Sequence, residues 1–195
     1  GARLFEVLFY EPSYYLSNLW RIFAIWEGGL SFHGGLFGEI IVMLLFARKK
    51  KIKFLLLSDI IVVPAALTQA FGRIANFING ELPGKITNVV WAVKFQAYEG
   101  FRHPTQLYES AYNFITFFVL YPMRSVMLGS GFLTGMFLML YGIMRFFVEF
   151  LKDQQTISGS LTNGLLFGIG IGQWLSIPMF AFGVWLIVRA LRQRE

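Results

Sequence analysis

Five apolar stretches, roughly 34–47, 54–71, 105–121, 131–151 and 164–188, alternate along the chain with shorter polar or aromatic segments. A helix crossing a hydrocarbon layer of about 30 Å needs about 20 residues, or somewhat fewer where the layer is thin. The pattern therefore predicts an all-α, polytopic integral membrane bundle with about five transmembrane helices in one membrane domain, 1–195. Within it, 1–32 reads as the end of an upstream helix plus an interfacial segment, and 33–71 as two spans. Residues 72–104 read as an outer functional loop, and 105–195 as three spans with a basic C-terminal tail. The interfacial reading rests on Tyr14, Tyr15, Trp20 and Trp26, the loop reading on the density of Asn, Gly and Pro. Gly1–Tyr10 lacks the basic start, apolar core and small-residue cleavage site of a signal peptide, and reads as the tail of a helix begun upstream.

Composition agrees with membrane residence. Of 195 residues, 56% are hydrophobic and only 14% charged, where soluble domains carry about 25% charged residues. The net charge of +6 is not spread as a nucleic-acid surface would require. It sits in short runs between apolar stretches, Arg48 to Lys53, Arg124, and Arg189 to Arg194. These runs are two spans apart, so all lie on one side, which the positive-inside rule makes cytoplasmic. Parity then puts 11–33, 72–104 and 152–163 on the outer side, and with them most of the chain's polar chemistry. There is no cysteine, so the chain offers no thiolate metal ligand and no Cys nucleophile. No His/carboxylate spacing suggests a metal, and no cofactor is expected.

Four segments carry the candidate chemistry. Ser31-Phe32-His33-Gly34-Gly35 puts a histidine ahead of a span, with glycines that permit close approach of a backbone or a headgroup. Glu39 lies about a turn deeper. In Gly72-Arg73-Ile74-Ala75-Asn76-Phe77-Ile78-Asn79-Gly80-Glu81-Leu82-Pro83-Gly84, Arg73 offers a planar fork suited to phosphate. Asn76 and Asn79 can hydrogen-bond headgroup hydroxyls, and Glu81 can act as a base or simply cross-link the turn to Arg73. In Arg102-His103-Pro104-Thr105-Gln106-Leu107-Tyr108-Glu109, Pro104 starts a helix, His103 is a possible base, and Glu109 calls for an arginine partner at membrane depth. Tyr141, Arg145 and Glu149 recur at i, i+4 and i+8 and form one polar stripe. Gly168, Gly170 and Gly172 read as packing glycines, since no strand precedes them to make a dinucleotide fingerprint.

Taken together, the blocks Ser31–Gly35, Gly72–Glu81, His103–Glu109 and Tyr141–Phe150 resemble the bacterial prolipoprotein diacylglyceryl transferases, with Ala75 where that family usually has glycine. The resemblance implies an inner-membrane enzyme whose site opens toward the periplasm or cell exterior. Phosphatidylglycerol would supply the diacylglyceryl group, the lipobox cysteine of a preprolipoprotein would accept it, and glycerol phosphate would leave. It also implies an N-terminal portion with at least one further helix. The expected catalytic residues are His33, Arg73, Glu81, His103 and Arg145. The expected substrate-binding residues are Arg73, Asn76, Asn79, Gly84, Tyr141, Arg145 and Glu149. Residue chemistry alone leaves His33, His103 and Glu81 open as the thiol base. A non-catalytic lipid-binding or lipid-transport protein is the other reading, disfavoured because the polar groups gather at one end of the spans.

Overall fold

The computed structural model describes residues 1–125, 127–153, 165–166 and 169–193, without side chains at 32, 33, 165, 166 and 169–171. It is mostly helical. Two short helices, α1 (Ala2–Phe5) and α2 (Pro12–Ser17), precede five long ones: α3 (Phe32–Lys50), α4 (Phe54–Ile78), α5 (Thr105–Met123), α6 (Phe132–Glu149) and α7 (Ile171–Arg192). Each long helix overlaps one of the expected stretches. Three segments, Phe54–Ile78, Phe132–Glu149 and Gly172–Arg192, are long and apolar enough to cross a membrane. The fifth stretch, expected from about 164, includes positions 164, 167 and 168, which lie outside the described residues; α7 starts at Ile171, and before it Leu165–Leu166 pairs antiparallel with Ile169–Gly170.

The chain divides into two compact units, Gly1–Leu57 and Ser58–Glu195. In the first, α1 lies against the start of α3 where only glycine fits. A Cβ on Gly38 would meet Gly1 Cα at 3.1 Å, and one on Gly34 would strike Phe5. The glycines after position 33 thus do allow close backbone approach. Arg3 ties down the aromatic segment that follows, donating to Tyr15 Oη at 2.6 Å, to the Gly29 carbonyl at 2.9 Å and to the Ala24 carbonyl.

In the second unit the core is Val63, Ala66, Leu120, Phe132, Leu133, Phe137 and Ala190. Helices α6 and α7 touch backbone to backbone, since a Cβ on Gly135 would meet the Gly183 carbonyl at 2.7 Å and one on Gly183 would meet the Gly135 carbonyl at 2.7 Å. Small residues at such crossings let packing and dispersion hold helices together where lipid provides no hydrophobic drive.

Helix α5 is inside-out. Thr105, Gln106, Glu109, Ser110, Asn113 and Thr116 are buried, whereas Leu107, Ile115, Phe118 and Tyr121 are exposed. That arrangement is costly in water and natural in lipid, where the apolar face needs no cover and polar groups must find partners within the protein.

The start of α6 is capped from a distance. Asp59 in α4 is fully buried. Its Oδ2 accepts from the N–H of Gly129 at 3.0 Å and Gly131 at 2.9 Å, and its Oδ1 accepts from the N–H and hydroxyl of Thr134 at 2.9 and 2.7 Å. Gly131 precedes the first helical residue, so the carboxylate satisfies donors that a helix N-terminus leaves open and complements its dipole. Asp59→Ala orphans these donors, at about 1–3 kcal/mol for a buried unsatisfied group. The expected result is a clear fall in the thermal midpoint of detergent-extracted protein, larger than for Asp59→Asn, which keeps one acceptor oxygen.

Candidate active site

Helix α4 ends in a glycine-dependent turn. The Gly80 N–H bonds the Phe77 carbonyl at 3.1 Å, the Glu81 N–H bonds the Asn76 carbonyl at 2.9 Å, and Gly80 has φ +71°. This is the paired-bond helix stop that needs a left-handed residue. It brings Asn76 and Asn79 beside Glu81, whose Oε2 accepts from Asn76 Nδ2 at 2.9 Å and whose Oε1 accepts from Asn79 Nδ2 at 3.3 Å. Gln106 of α5 donates to the Glu81 main-chain carbonyl at 2.5 Å and fixes the turn to the next helix. In this structure, then, Asn76 and Asn79 hold Glu81 in place, and of the two readings of Glu81 the cross-link to Arg73 is not made, because Arg73 pairs elsewhere.

That pairing centres on Glu109. Its carboxylate, 1% exposed, contacts three cations from three segments: Arg73 Nε of α4 at 2.6 Å, Arg145 Nη1 of α6 at 3.1 Å and Lys152 Nζ just beyond α6 at 2.5 Å. Arg145 Nη2 also lies 2.8 Å from Glu149 Oε2, an ion pair whose angles fall outside hydrogen-bond geometry. The spacing of Arg145 and Glu149 anticipates that pair. A Cβ on Gly172 would meet the Glu149 carboxyl carbon at 2.6 Å, so α7 begins directly against this group. Tyr141, at the other end of the stripe, makes no ion pair. Its ring stacks with Phe137 at 5.9 Å and meets Tyr112 edge-on at 5.8 Å.

The arginines differ in what they leave free. Arg145 has a carboxylate on each terminal nitrogen. Arg73 is held only through Nε, and its Nη1 and Nη2 make no hydrogen bond among the described residues, although a quarter of the side chain, 26%, is exposed. A guanidinium anchored at its stem with its fork open is arranged to take a phosphate in bidentate fashion.

Lys152 carries no sequence signature, because a lone lysine after an apolar helix reads as an anchor. It is delivered by a small irregular sheet. The Lys85 N–H bonds the Leu151 carbonyl at 2.9 Å, the Gly84 N–H bonds the His103 carbonyl at 2.8 Å and the His103 N–H bonds the Lys85 carbonyl at 3.0 Å. Arg102 fastens the patch by donating to the Gly84 carbonyl at 3.1 Å and to Asp153. Burial pushes the Lys152 ammonium below the usual lysine range, against the opposing pull of Glu109. Gly84 lies where these strands converge: an added Cβ would meet the Leu151 carbonyl oxygen at 2.5 Å, Thr105 Cγ2 at 2.7 Å and His103 Cβ at 2.8 Å. Gly84→Ala is therefore expected to spread the strands, lowering stability by about 1–3 kcal/mol as overpacking does, and to reduce activity by displacing Lys152. Thermal denaturation beside a transfer assay measures both.

His33 lies in the first turn of α3, and its side chain is outside the described residues. His103 Nδ1 and Tyr108 Oη are hydrogen-bonded at 3.2 Å.

Residues 1–189 match the family model of prolipoprotein diacylglyceryl transferase. The chain belongs to this family. Three curated relatives are named phosphatidylglycerol–prolipoprotein diacylglyceryl transferase, and the one from Bordetella parapertussis is 49% identical over 98% of this chain and 73% of its own length. One from Nitrosomonas europaea is 45% identical over 98% of the chain and 69% of its own length. One from Nitratidesulfovibrio vulgaris is 43% identical over 96% and 71%. Membership of the prolipoprotein diacylglyceryl transferase family makes the chain a transferase of lipoprotein maturation and, with its apolar helices, a membrane protein.

Proposed function

We propose that the Glu109 cluster is the headgroup site for phosphatidylglycerol, and that the chain transfers the diacylglyceryl group of that lipid to a lipobox cysteine. The open fork of Arg73 is the observation that carries this reading. Charge supports it. Arg73, Arg145 and Lys152 face Glu109 and Glu149, so three positive charges meet two negative ones and leave one over, which matches a phosphodiester monoanion. Helices α6 and α7 also border an apolar cavity of ≈ 200 Å³ lined by Gly142, Phe146, Ser176 and Phe180, room for part of an acyl chain.

In the reaction the cysteine sulfur bonds to the terminal glyceryl carbon, the carbon–oxygen bond to phosphate breaks, and glycerol phosphate departs with the bonding electrons. The thiol proton passes to a base, because the thiolate is the nucleophile. As charge grows on the leaving oxygen, donors already fixed in place stabilise it at no reorganisation cost. Arg73 supplies the free donors. Arg145, held by Glu109 and Glu149, supplies fixed positive field and gives Arg73 its geometry through the shared carboxylate. Glu81, oriented by Asn76 and Asn79, is a candidate thiol base, and His33 is the other. Incubating membranes that contain the full-length protein with phosphatidylglycerol and a lipobox peptide should add the diacylglyceryl mass to the cysteine. Binding of the lipid without any mass addition would instead support the lipid-binding alternative.

This reading sets the bundle in the inner membrane, with about five spans in this chain and its site facing outward. The basic runs support that orientation. With Asn88→Cys and Lys50→Cys as single reporters, an impermeant thiol reagent on intact cells is expected to label position 88 and not 50, and the reverse result would invert the topology.

A further inference from the structure

The bond to His103 belongs to a longer chain. Trp91 Nε1 donates to Tyr108 Oη at 2.7 Å, and Tyr108 Oη lies 3.2 Å from His103 Nδ1. The indole N–H is a donor only, so the tyrosine oxygen must accept from it, and the phenolic proton is left to be given away. The one acceptor in reach among the described residues is His103 Nδ1. An arrangement in which Nδ1 carried the proton would aim two donors at Tyr108 and leave its own hydroxyl unused. The imidazole is thereby set as the tautomer with Nδ1 accepting and Nε2 protonated. His103 and Tyr108 lie five residues apart across the start of α5, and the fold brings Trp91 to them from 17 residues before Tyr108.

His103 is also fixed along its backbone. It bonds Gly84 and Lys85, the strand that in turn bonds Leu151 beside Lys152. The His103 backbone is therefore tied, through this strand, to the segment that carries Lys152 onto Glu109. We infer that Trp91 and Tyr108 are positioning residues that make His103 an N–H donor to the departing phosphate, and not the base that takes the thiol proton. This rests on the transferase reading of the same site. No proton is created or lost at His103: the thiol proton leaves through the base, and His103 keeps its Nε2 proton while hydrogen-bonding the oxygen that gains the electron pair.

The test combines tautomer spectroscopy with kinetics in the full-length protein. Histidine labelled with nitrogen-15, with His103 assigned by comparison with His103→Gln, should show an unprotonated Nδ1 and a protonated Nε2 in the wild type. Tyr108→Phe, which keeps the ring and removes the hydroxyl, should mix the two tautomers. Trp91→Phe should do so less. In the transfer assay His103→Gln should lower kcat by about a hundredfold, the low end for loss of a preorganised donor to a developing oxyanion. Tyr108→Phe should lower it partially, and adding Tyr108→Phe to His103→Gln should cost nothing more, since residues acting as one unit are not additive. A wild-type Nδ1–H tautomer, additive effects, or undiminished turnover in His103→Gln would each overturn the inference while leaving the transferase reading intact. Absence of transfer by the wild type would sink the latter, and the tautomer measurement would still decide whether Trp91 and Tyr108 orient the ring.

Discussion

Glu109→Gln is expected to be both inactive and unstable. The substitution changes almost no volume, yet it withdraws the negative charge shared by Arg73, Arg145 and Lys152. Three cations would then face Glu149 alone. Removing one member of a buried ion group typically costs about 3–5 kcal/mol, because the remaining charge is left without compensation. Glu109 is 1% exposed and its partners 18–26%, so the lower end of that range applies. The double variant Glu109→Gln with Lys152→Gln restores the net charge to one. It should regain part of the lost stability without activity, since Arg73 would still have no anchor for its Nε. Thermal midpoints of the extracted proteins beside lipobox-peptide turnover make the comparison. A Glu109→Gln protein with normal stability and turnover would mean that the three contacts do not organise the site.

The second large effect is expected of Arg73→Lys, and here activity should fall while stability largely survives. A lysine can keep an ammonium near Glu109 or offer it to the phosphate, but it cannot do both, and it has no planar fork. Loss of one preorganised donor to a developing oxyanion costs about 10²–10³ in kcat, and at least that much is expected. If turnover is unchanged, Arg73 contributes only bulk positive field. A raised KM with unchanged kcat would place its contribution in ground-state binding of the lipid.

What the sequence makes legible follows from how far apart the interacting residues lie. The Arg145–Glu149 pair is one helical turn apart, so its spacing alone reveals it. The need of Glu109 for an arginine follows equally from its place in an apolar helix. Which arginine answers it does not, because Arg73 and Arg145 each lie 36 residues away, on either side. Glu81 was the nearer partner for Arg73 by sequence, but the helix stop at Gly80 turns it toward Asn76 and Asn79. Lys152 and Asp59 are invisible for the same reason. Each reads as an ordinary charge near a span end until a strand or a helix start from elsewhere is brought against it. Helix α5 shows a different limit: its polar residues look like interruptions of a span, and only packing reveals that they all face inward.

The excess of one positive charge in the cluster also bears on which lipids are admitted. A zwitterionic headgroup would bring its own ammonium beside Arg73, Arg145 and Lys152, where like charges within a few ångströms repel and little water screens them. An uncharged headgroup would leave the surplus uncompensated, and a second phosphate would overfill it. If the cluster is the headgroup site proposed above, the same ion pairs that hold the segments together would also act as a sieve on the bilayer, passing headgroups of net charge minus one and turning back the zwitterionic ones before any chemistry begins.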